Sequence, residues 1–288
     1  MKEKNKGILC IIMAAFFFSL MNTFVRLSGN IPSIQKSFFR NLVAFFFALI
    51  ILKKNHIHFS GKKENLKYLF GRSIFGTIGI LCNFYAVDHM VLADASMLNK
   101  MSPFFAVIFS IWILQEEVKP LQAFAVIGAF VGSLFIIKPN IWGMELGYAL
   151  IGLLGGMGAG IAYTFVRKLG KQGEKGPFIV LFFSGFSCVA TLPYLLFFYS
   201  PMSLNQFFML LLAGLSAAGG QFSITAAYCH APAREISVYD YSQIIFSALL
   251  GFCFFGQIPD KYSILGYIII CSMAVFMFLY NNRYSSKE

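Results

Sequence analysis

Long apolar runs alternate with short polar connections along almost the whole chain. A transmembrane helix needs about 20 consecutive, predominantly apolar residues. Stretches of that length recur through the sequence, and Pro, Asn and Asp residues mark the breaks between them. The pattern therefore predicts about ten transmembrane helices, over residues 7–27, 32–52, 66–88, 92–115, 119–137, 143–166, 176–198, 204–229, 235–256 and 261–281.

The composition supports insertion into a bilayer. Of the 288 residues, 58% are hydrophobic and 12% are charged, whereas soluble domains have about half and about a quarter. The net charge of +11 comes from basic residues in the short connections, which is typical of an orientation signal rather than a nucleic-acid groove. We expect an all-α integral membrane protein that has the lipid bilayer, and no nucleic acid, as its partner. The first run lacks a small-x-small cleavage site and is expected to remain as a helix.

The distribution of Lys and Arg predicts the orientation, because short cytoplasmic loops carry an excess of both. Of the 23 basic residues, 16 fall on the side of the N terminus and 4 on the opposite side. The remaining 3, Arg40, Arg72 and Lys100, fall inside predicted spans. Both termini are therefore expected in the cytoplasm, with the protein in the cytoplasmic (cell) membrane.

The two halves of the chain repeat with a constant shift of 141 residues. Thr23-Phe-Val-Arg26 ends the first span, and Thr164-Phe-Val-Arg167 ends the sixth. With five spans in each half, the second half must be inverted in the bilayer. We therefore predict two inverted five-helix repeats, residues 1–140 and 141–288. Inverted repeats with polar groups near the bilayer midplane are typical of secondary transporters.

Ionised side chains inside the spans are the first candidates for a binding site. A charge at such depth costs at least ~2.5–3.5 kcal/mol and normally faces a partner or a water-filled cavity. At 1.5 Å per residue, Arg40 lies near the centre of its span, Lys100 roughly 5 Å outward and Asp240 roughly 8 Å inward. We expect Lys100 and Asp240 to flank the midplane, with a ligand of amino-acid size between them. Fixed structural partners are the alternative, and Arg72 is expected to extend to the inner membrane edge.

Neutral polar and aromatic side chains form a second, more diffuse set of candidates. Tyr239 and Gln243 are four residues apart, so they are expected to share a helical face beside Asp240. The alternative for such groups is bonding between helices, worth about 0.6 kcal/mol each. The candidate substrate-binding residues besides the charges are Asn22, Asn83, Tyr85, Asn99, Tyr163, Gln221, Tyr228, Tyr239 and Gln243.

Other motifs indicate packing rather than chemistry. Gly152, Gly156 and Gly160 recur every four residues inside an apolar run, which predicts close helix packing instead of a phosphate loop. Pro103 removes a backbone hydrogen bond in mid-span and predicts a kink beside Lys100. The sequence contains no catalytic motif and no metal-ligand spacing. We expect no enzyme activity, no catalytic residue, no metal and no cofactor.

Several motifs together indicate a family. The first half contains Leu98-x-x-x-Ser102-Pro103 and then Glu116-Glu117. The second half contains Tyr241-x-Gln243, Ala248-Leu-Leu-Gly251 and Phe255-Gly-Gln-Ile-Pro-Asp260. Over essentially its whole length the chain resembles the drug/metabolite transporter superfamily, and within it the EamA-type ten-helix group. Members usually carry a glutamate where Gln257 stands. The resemblance implies a central cavity between the halves that opens alternately to each side of the membrane.

The leading hypothesis is a secondary transporter for a small polar metabolite that carries a carboxylate, such as an amino-acid-like zwitterion. Arg40 and Lys100 would bind its negative group and Asp240 its ammonium group, with Asp240 also the candidate for proton coupling. The alternatives are an aromatic-lined carrier of organic cations or drugs, and a nucleoside- or vitamin-type permease. Cargo identity, direction, the mode of coupling, and the choice between monomer and homodimer stay open at this point.

Overall fold

The computed structural model describes residues 3–55, 63–115, 120–137, 144–230 and 237–285. Within these ranges the backbone forms eleven α-helices and two short 3₁₀ turns, Lys63–Asn65 and Ser237–Tyr241. The helices are α1 (Glu3–Leu27), α2 (Ser33–Lys54), α3 (Leu66–His89), α4 (Leu92–Asn99), α5 (Ser102–Ile113), α6 (Pro120–Ile137), α7 (Met144–Lys171), α8 (Gly176–Phe198), α9 (Leu204–His230), α10 (Ser242–Phe255) and α11 (Lys261–Ser285).

The described helices account for the predicted spans. Nine helical segments are long and apolar enough to cross a membrane, with α4 and α5 together forming one of them. A shorter apolar segment, Ala123–Ile136, lies in α6. Large apolar side chains such as Ile127, Leu196 and Phe197 are exposed on the outside of the bundle, as expected of a surface that faces lipid. The prediction of an all-α membrane protein with about ten spans is confirmed.

Contacts between helices repeat from one half to the other. The shift of 141 residues places α1 on α7, α2 on α8, α3 on α9, α5 on α10 and α6 on α11. Under this exchange the contact of α1 with α9 becomes that of α7 with α3, and both contacts are present. Helices α2 and α8 contact each other, as do α6 and α11. Two five-helix repeats therefore face each other in opposite orientations, as the sequence predicted.

Helix α7 approaches its neighbours closely because it carries glycine on two faces. A β-carbon at Gly156 would collide with the backbone carbonyl of Leu98, and one at Gly160 with the carbonyl of Ser102. On a second face, the β-carbon of a residue at Gly158 would lie 2.9 Å from the carbonyl oxygen of Phe75. The predicted packing role of these glycines is confirmed, and it brings α3, α4 and α5 against α7 around a polar centre.

Candidate functional site

Two of the membrane-spanning segments depart from regular α-helix at positions that the repeat makes equivalent, and we call each of these departures an interruption. Helix α4 ends at Asn99, and α5 begins two residues after Lys100 with Pro103 in its first turn. Proline lacks the N–H that would continue the helical hydrogen bonds. In the second half, the 3₁₀ turn Ser237–Tyr241 precedes α10, and the Tyr241 hydroxyl donates a hydrogen bond of 3.1 Å to the freed carbonyl of Lys100. The two interruptions are thus bonded to each other.

An ion pair lies where the interruptions meet. Lys100 Nζ is 2.6 Å from Asp240 Oδ2, and the two side chains are 5% and 7% exposed. The expectation that these charges flank the midplane without meeting is wrong. It assumed a continuous α-helical rise, whereas α4 ends just before Lys100 and Asp240 lies in a 3₁₀ turn, which rises about 2.0 Å per residue. Asp240 therefore neutralises Lys100 in this structure.

A cavity of about 70 Å³ lies beside the ion pair, between helices of both halves. Eight of the residues that the sequence nominated for substrate binding line it, namely Asn22, Arg40, Asn83, Asn99, Lys100, Tyr163, Gln221 and Gln243. A volume of this size accommodates a few water molecules, but ligand pockets measure ~300–1,000 Å³. A metabolite could therefore bind only if helices of the two halves separate.

Arg72 also lines the cavity, and sequence reasoning missed it. Its side chain is 4% exposed, so the expectation that it extends to the membrane edge is wrong. A β-carbon at Gly76 would overlap a nitrogen of the Arg72 guanidinium, so this glycine leaves the space that the guanidinium occupies. Residues four apart share a helical face. A buried arginine followed four positions later by glycine was therefore the signal available in the sequence.

Arg40 and Arg72 share a single aromatic ring. Their guanidinium carbons lie 6.0 Å and 3.7 Å from the centroid of Phe183. Arg40 donates a hydrogen bond to Asn41 Oδ1, whereas the Nε atoms of both arginines have no hydrogen-bond partner among the described residues. Within that part of the chain, neither arginine forms an ion pair. Two permanently protonated groups thus lie on a ring and not on a carboxylate.

The charges of the cavity do not balance. Arg40, Arg72 and Lys100 are positive, and Asp240 compensates Lys100 alone. Two like charges on the same ring repel each other by about 2 kcal/mol at an effective dielectric constant of about 20. A cation–π contact offsets this by about 0.5–2 kcal/mol. Among the described residues, two positive charges therefore remain uncompensated beside a cavity in the bundle interior.

Asp240 and Tyr239 do not line the cavity, although the sequence nominated both. Asp240 Oδ2 bonds to Lys100, while its Oδ1 has no hydrogen-bond partner among the described residues. Tyr239 is 36% exposed and packs edge-on against Phe278. The expectation that Tyr239 shares a face with Gln243 is wrong, because the 3₁₀ turn changes the angular spacing from 3.6 to about three residues per turn.

Tyr85 is likewise outside the cavity. Its ring stacks on the exposed His89 with 4.3 Å between ring centroids, and His89 stacks in turn on Tyr148 at 4.6 Å. Amphipathic rings of this kind are stable at a membrane edge as well as in a binding site. The side chain of Tyr228, also nominated, lies outside the described part of the structure.

Hydrogen bonds between neutral side chains join the helices around the cavity. Asn83 donates to Asn22 Oδ1 at 3.1 Å, and the amide oxygen of Asn83 has no partner among the described residues. The hydroxyl of Ser247 is 3.0 Å from that of Ser19 and 2.7 Å from that of Ser96. These serines connect α10 of the second half to α1 and α4 of the first.

Polar contacts join the two halves at opposite ends of the bundle. At one end, Gln206 Nε2 donates to the carbonyl of Ser28 at 3.0 Å. At the other, Asn65 Nδ2 donates to Glu174 Oε1 at 2.8 Å. The shift of 141 residues relates Asn65 to Gln206 but does not relate Ser28 to Glu174, so the two contacts share one equivalent position. Both ends are bonded in this conformation.

The end that carries Gln206 has a further ion pair. Lys36 is fully buried in the first turn of α2, and its Nζ lies 2.7 Å from Asp88 Oδ1. The neighbouring Gln35 exchanges two hydrogen bonds with the backbone of Ser200, at 2.9 Å and 3.0 Å. Lys36 is therefore a second cation with its own carboxylate.

Two inverted five-helix repeats, with interrupted helices that meet beside a polar cavity, are typical of secondary transporters. Residues 5–138 and 146–279 both match the sequence profile of the EamA-like transporter family, so the chain belongs to this family.

Individual relatives agree with this assignment. The pseudopaline exporter CntI of Pseudomonas aeruginosa strain UCBPP-PA14 is 30% identical over 268 residues, which cover 92% of this chain and 93% of the exporter. The riboflavin transporter of Vibrio cholerae is 24% identical over 291 residues, which cover 98% and 96% of the two chains. A known crystal structure has a TM-score of 0.70 over 96% of this chain and 98% of its own, at 13% identity, which shows the fold. The chain is thus a multi-pass membrane transporter of small molecules and not an enzyme, as the sequence predicted.

Proposed function

We propose that this transporter moves a small, polar, carboxylate-bearing metabolite across the cytoplasmic membrane by alternating access. The observation that carries the proposal is the pair Arg40 and Arg72, two buried guanidinium groups with no ion-pair partner among the described residues. Arginine binds carboxylates through parallel, charge-assisted hydrogen bonds. A bound carboxylate would also offset a charge that is unfavourable within the membrane. Arg72 replaces Lys100 as the second cation that would bind the negative group of the cargo, because Lys100 is bonded to Asp240.

An amino-acid-like zwitterion is one form that such a cargo could take. Its ammonium group would bind Asp240, whose Oδ1 has no partner among the described residues. Asn99, Tyr163 and Gln243 line the cavity and would orient the cargo through hydrogen bonds. Recognition of the ammonium group requires the side chain of Asp240 to turn toward the cavity when the halves separate.

The bonded ends of the bundle support alternating access. The contact of Gln206 with Ser28 and that of Asn65 with Glu174 lie at opposite ends and have one repeat-related residue each, Gln206 and Asn65. If one contact opens while the other persists, the cavity gains access to one side of the membrane at a time. We propose that the Asn65 end faces the cytoplasm together with both chain termini, as the loop charges predict.

A flat, vitamin-like molecule is the second candidate cargo. Phe18, Tyr163 and Phe183 line the cavity and offer faces for stacking, and the relatives include a riboflavin transporter. An organic cation is a weaker candidate, because the uncompensated charges of Arg40 and Arg72 would repel it.

Uptake into proteoliposomes distinguishes these cargoes. We expect carboxylates or amino acids to be transported, and we expect Arg40→Gln and Arg72→Gln each to lower that uptake by about 10–100-fold. Lys54→Gln, at an exposed position of α2, removes a basic residue far from the cavity and should leave uptake intact. Uptake of tetraethylammonium alone would contradict the proposal, whereas uptake of riboflavin alone would favour the second candidate.

Asp240 remains the candidate for proton coupling. It is a buried carboxylate bonded to the buried Lys100, and one of its oxygens has no partner among the described residues. If it carries the proton, a pH jump should drive uptake in the native protein but not in Asp240→Asn, while exchange of a cargo that lacks an ammonium group should persist in the variant. Uptake by Asp240→Asn that still follows the pH gradient would exclude this role.

A further inference from the structure

We propose, on the basis of the proposed function, that the cargo carries two negative charges and that Arg40 and Arg72 each bind one of them. The two arginines come from adjacent helices, α2 and α3, and line the same cavity. Both contact the ring of Phe183 on α8. Their guanidinium carbons are therefore separated by no more than the sum of the two ring distances, a span within reach of one small molecule.

The arginines keep donors available for such a molecule. Arg40 directs one terminal nitrogen to Asn41, and its Nε has no partner among the described residues. The Nε of Arg72 is equally without a partner in this part of the chain. Each guanidinium has five N–H donors arranged in a fork that fits the two oxygens of one acidic group. Two forks on two helices therefore fit the oxygens of a cargo with two negative charges, whether these belong to two carboxylates or to one phosphate.

The balance of charges around the cavity also indicates a cargo with two negative charges. Lys100 and Lys36 are each paired with a carboxylate, so neither requires an anion from the cargo. A cargo with one negative charge would leave one guanidinium uncompensated in the bundle interior. A zwitterion adds no net charge, so the net charge of the cavity would not change when it binds. Only a cargo with two net negative charges neutralises the cavity without displacing Lys100 from Asp240.

The ring of Phe183 partly offsets the cost of burying the two arginines without an anion. Arg72 lies 3.7 Å from the ring centroid, a close cation–π contact that substitutes in part for an anion. Gly76 leaves the space for this position of Arg72. The ring thus holds the arginines close together without neutralising them, so their charge remains available to the cargo.

A dicarboxylate and a phosphate monoester both meet this requirement, and matched probes separate them from singly charged molecules. The full-length protein, purified in detergent, would be heated with succinate, with its monoamide succinamate, and with the neutral diamide. Glycerol 3-phosphate and glycerol form the second series. Because a ligand that binds the folded state raises thermal stability, the shift in Tm reports affinity for each probe.

We expect succinate or glycerol 3-phosphate to bind about tenfold or more tightly than the singly charged or neutral member of its series. Arg72→Gln should reduce this preference to about equality, because it removes one of the two cations. Gly76→Ala keeps the charge but displaces the guanidinium, and it should weaken the preference as well. If Arg72→Gln fails to fold, Gly76→Ala tests the inference alone. A weakened preference for the doubly charged probe would support it, and an unchanged preference would reject it.

Other outcomes overturn the inference in distinguishable ways. Equal binding of succinate and succinamate, lost in both Arg40→Gln and Arg72→Gln, would preserve the proposed carboxylate function and reject two negative charges. Binding of neither anion series, with stabilisation by tetraethylammonium, would reject both proposals. A preference for succinate that Arg72→Gln leaves unchanged would show that Arg72 does not bind the second charge.

Discussion

The buried cations beside the cavity differ in how their charge is compensated. Lys100 has Asp240 at 2.6 Å, and the pair joins the interruption of the first half to that of the second. Arg40 and Arg72 have the ring of Phe183 and no carboxylate among the described residues. The compensated charge stabilises the contact between the halves, whereas the uncompensated charges are available to a ligand. Burial alone therefore does not identify a binding residue, and the presence of a fixed partner separates the two roles.

The difference between compensated and uncompensated cations predicts its largest effect on stability at the ion pair of Lys100 and Asp240. Asp240→Ala leaves Lys100 as an unpaired buried charge, and removing one partner of such a pair destabilises a protein by about 3–5 kcal/mol. We expect the largest loss of stability here, measured as the free energy of unfolding of the purified protein without cargo.

The matched control for this loss is the double variant Lys100→Met/Asp240→Leu. Replacing both charges with apolar residues of similar volume is often neutral or stabilising, so it should restore most of the stability. A single variant as stable as the native protein would show that Asp240 does not compensate Lys100.

Arg40→Gln and Arg72→Gln test the opposite kind of cation. Each variant removes a charge without leaving a carboxylate unpaired, so the free energy of unfolding should stay unchanged or rise. Uptake should fall by about 10–100-fold, because a hydrogen bond to a charged group is worth about 1.5–3 kcal/mol. Proteoliposome uptake and thermal unfolding, measured on the same preparation, check both expectations. Loss of stability comparable to that of Asp240→Ala would remove the distinction between the two kinds of cation.

Gly76→Ala changes the position of Arg72 without changing its charge. The new β-carbon would overlap the guanidinium, and an off-rotamer side chain costs about 0.5–1.5 kcal/mol. We therefore expect uptake to fall about 3–10-fold. Gly147→Ala is the control, because a β-carbon there meets nothing within 4 Å. Gly147 lies on α7 and Gly76 on α3, so equal effects at both glycines would mean that uptake falls for a reason other than the placement of Arg72.

The fold could be predicted from the sequence because its signals are long-range and redundant. Runs of about 20 apolar residues define spans, and five spans per half require inversion of the second repeat. The eight nominated residues that line the cavity follow from one rule, that polar groups in a membrane avoid lipid. Tyr85 and Tyr239 do not follow this rule and lie outside the cavity, because an aromatic ring with a hydroxyl is also stable at the membrane edge.

The charges in the site were less predictable because they depend on local backbone geometry. Pairing of Lys100 with Asp240 requires both helix interruptions, and Pro103 indicated only the first of them. The depth of Arg72 was estimated from its position along α3. Its guanidinium instead turns inward over Gly76 onto Phe183, a residue on another helix that no periodicity in α3 could reveal.

The smallest effect expected is the coupling between Phe183 and Arg72. A double-mutant cycle with Phe183→Leu and Arg72→Gln should give a coupling in the free energy of unfolding of about 0.5–1 kcal/mol, since the cation–π contact exists only when both side chains are present. Phe178→Leu, five residues earlier on α8, supplies the matched cycle and should show coupling near zero. Equal coupling at the two phenylalanines would mean that the ring acts by filling space. Coupling confined to Phe183 would show that an aromatic face, in place of a carboxylate, holds the uncompensated guanidinium of Arg72 beside the cavity.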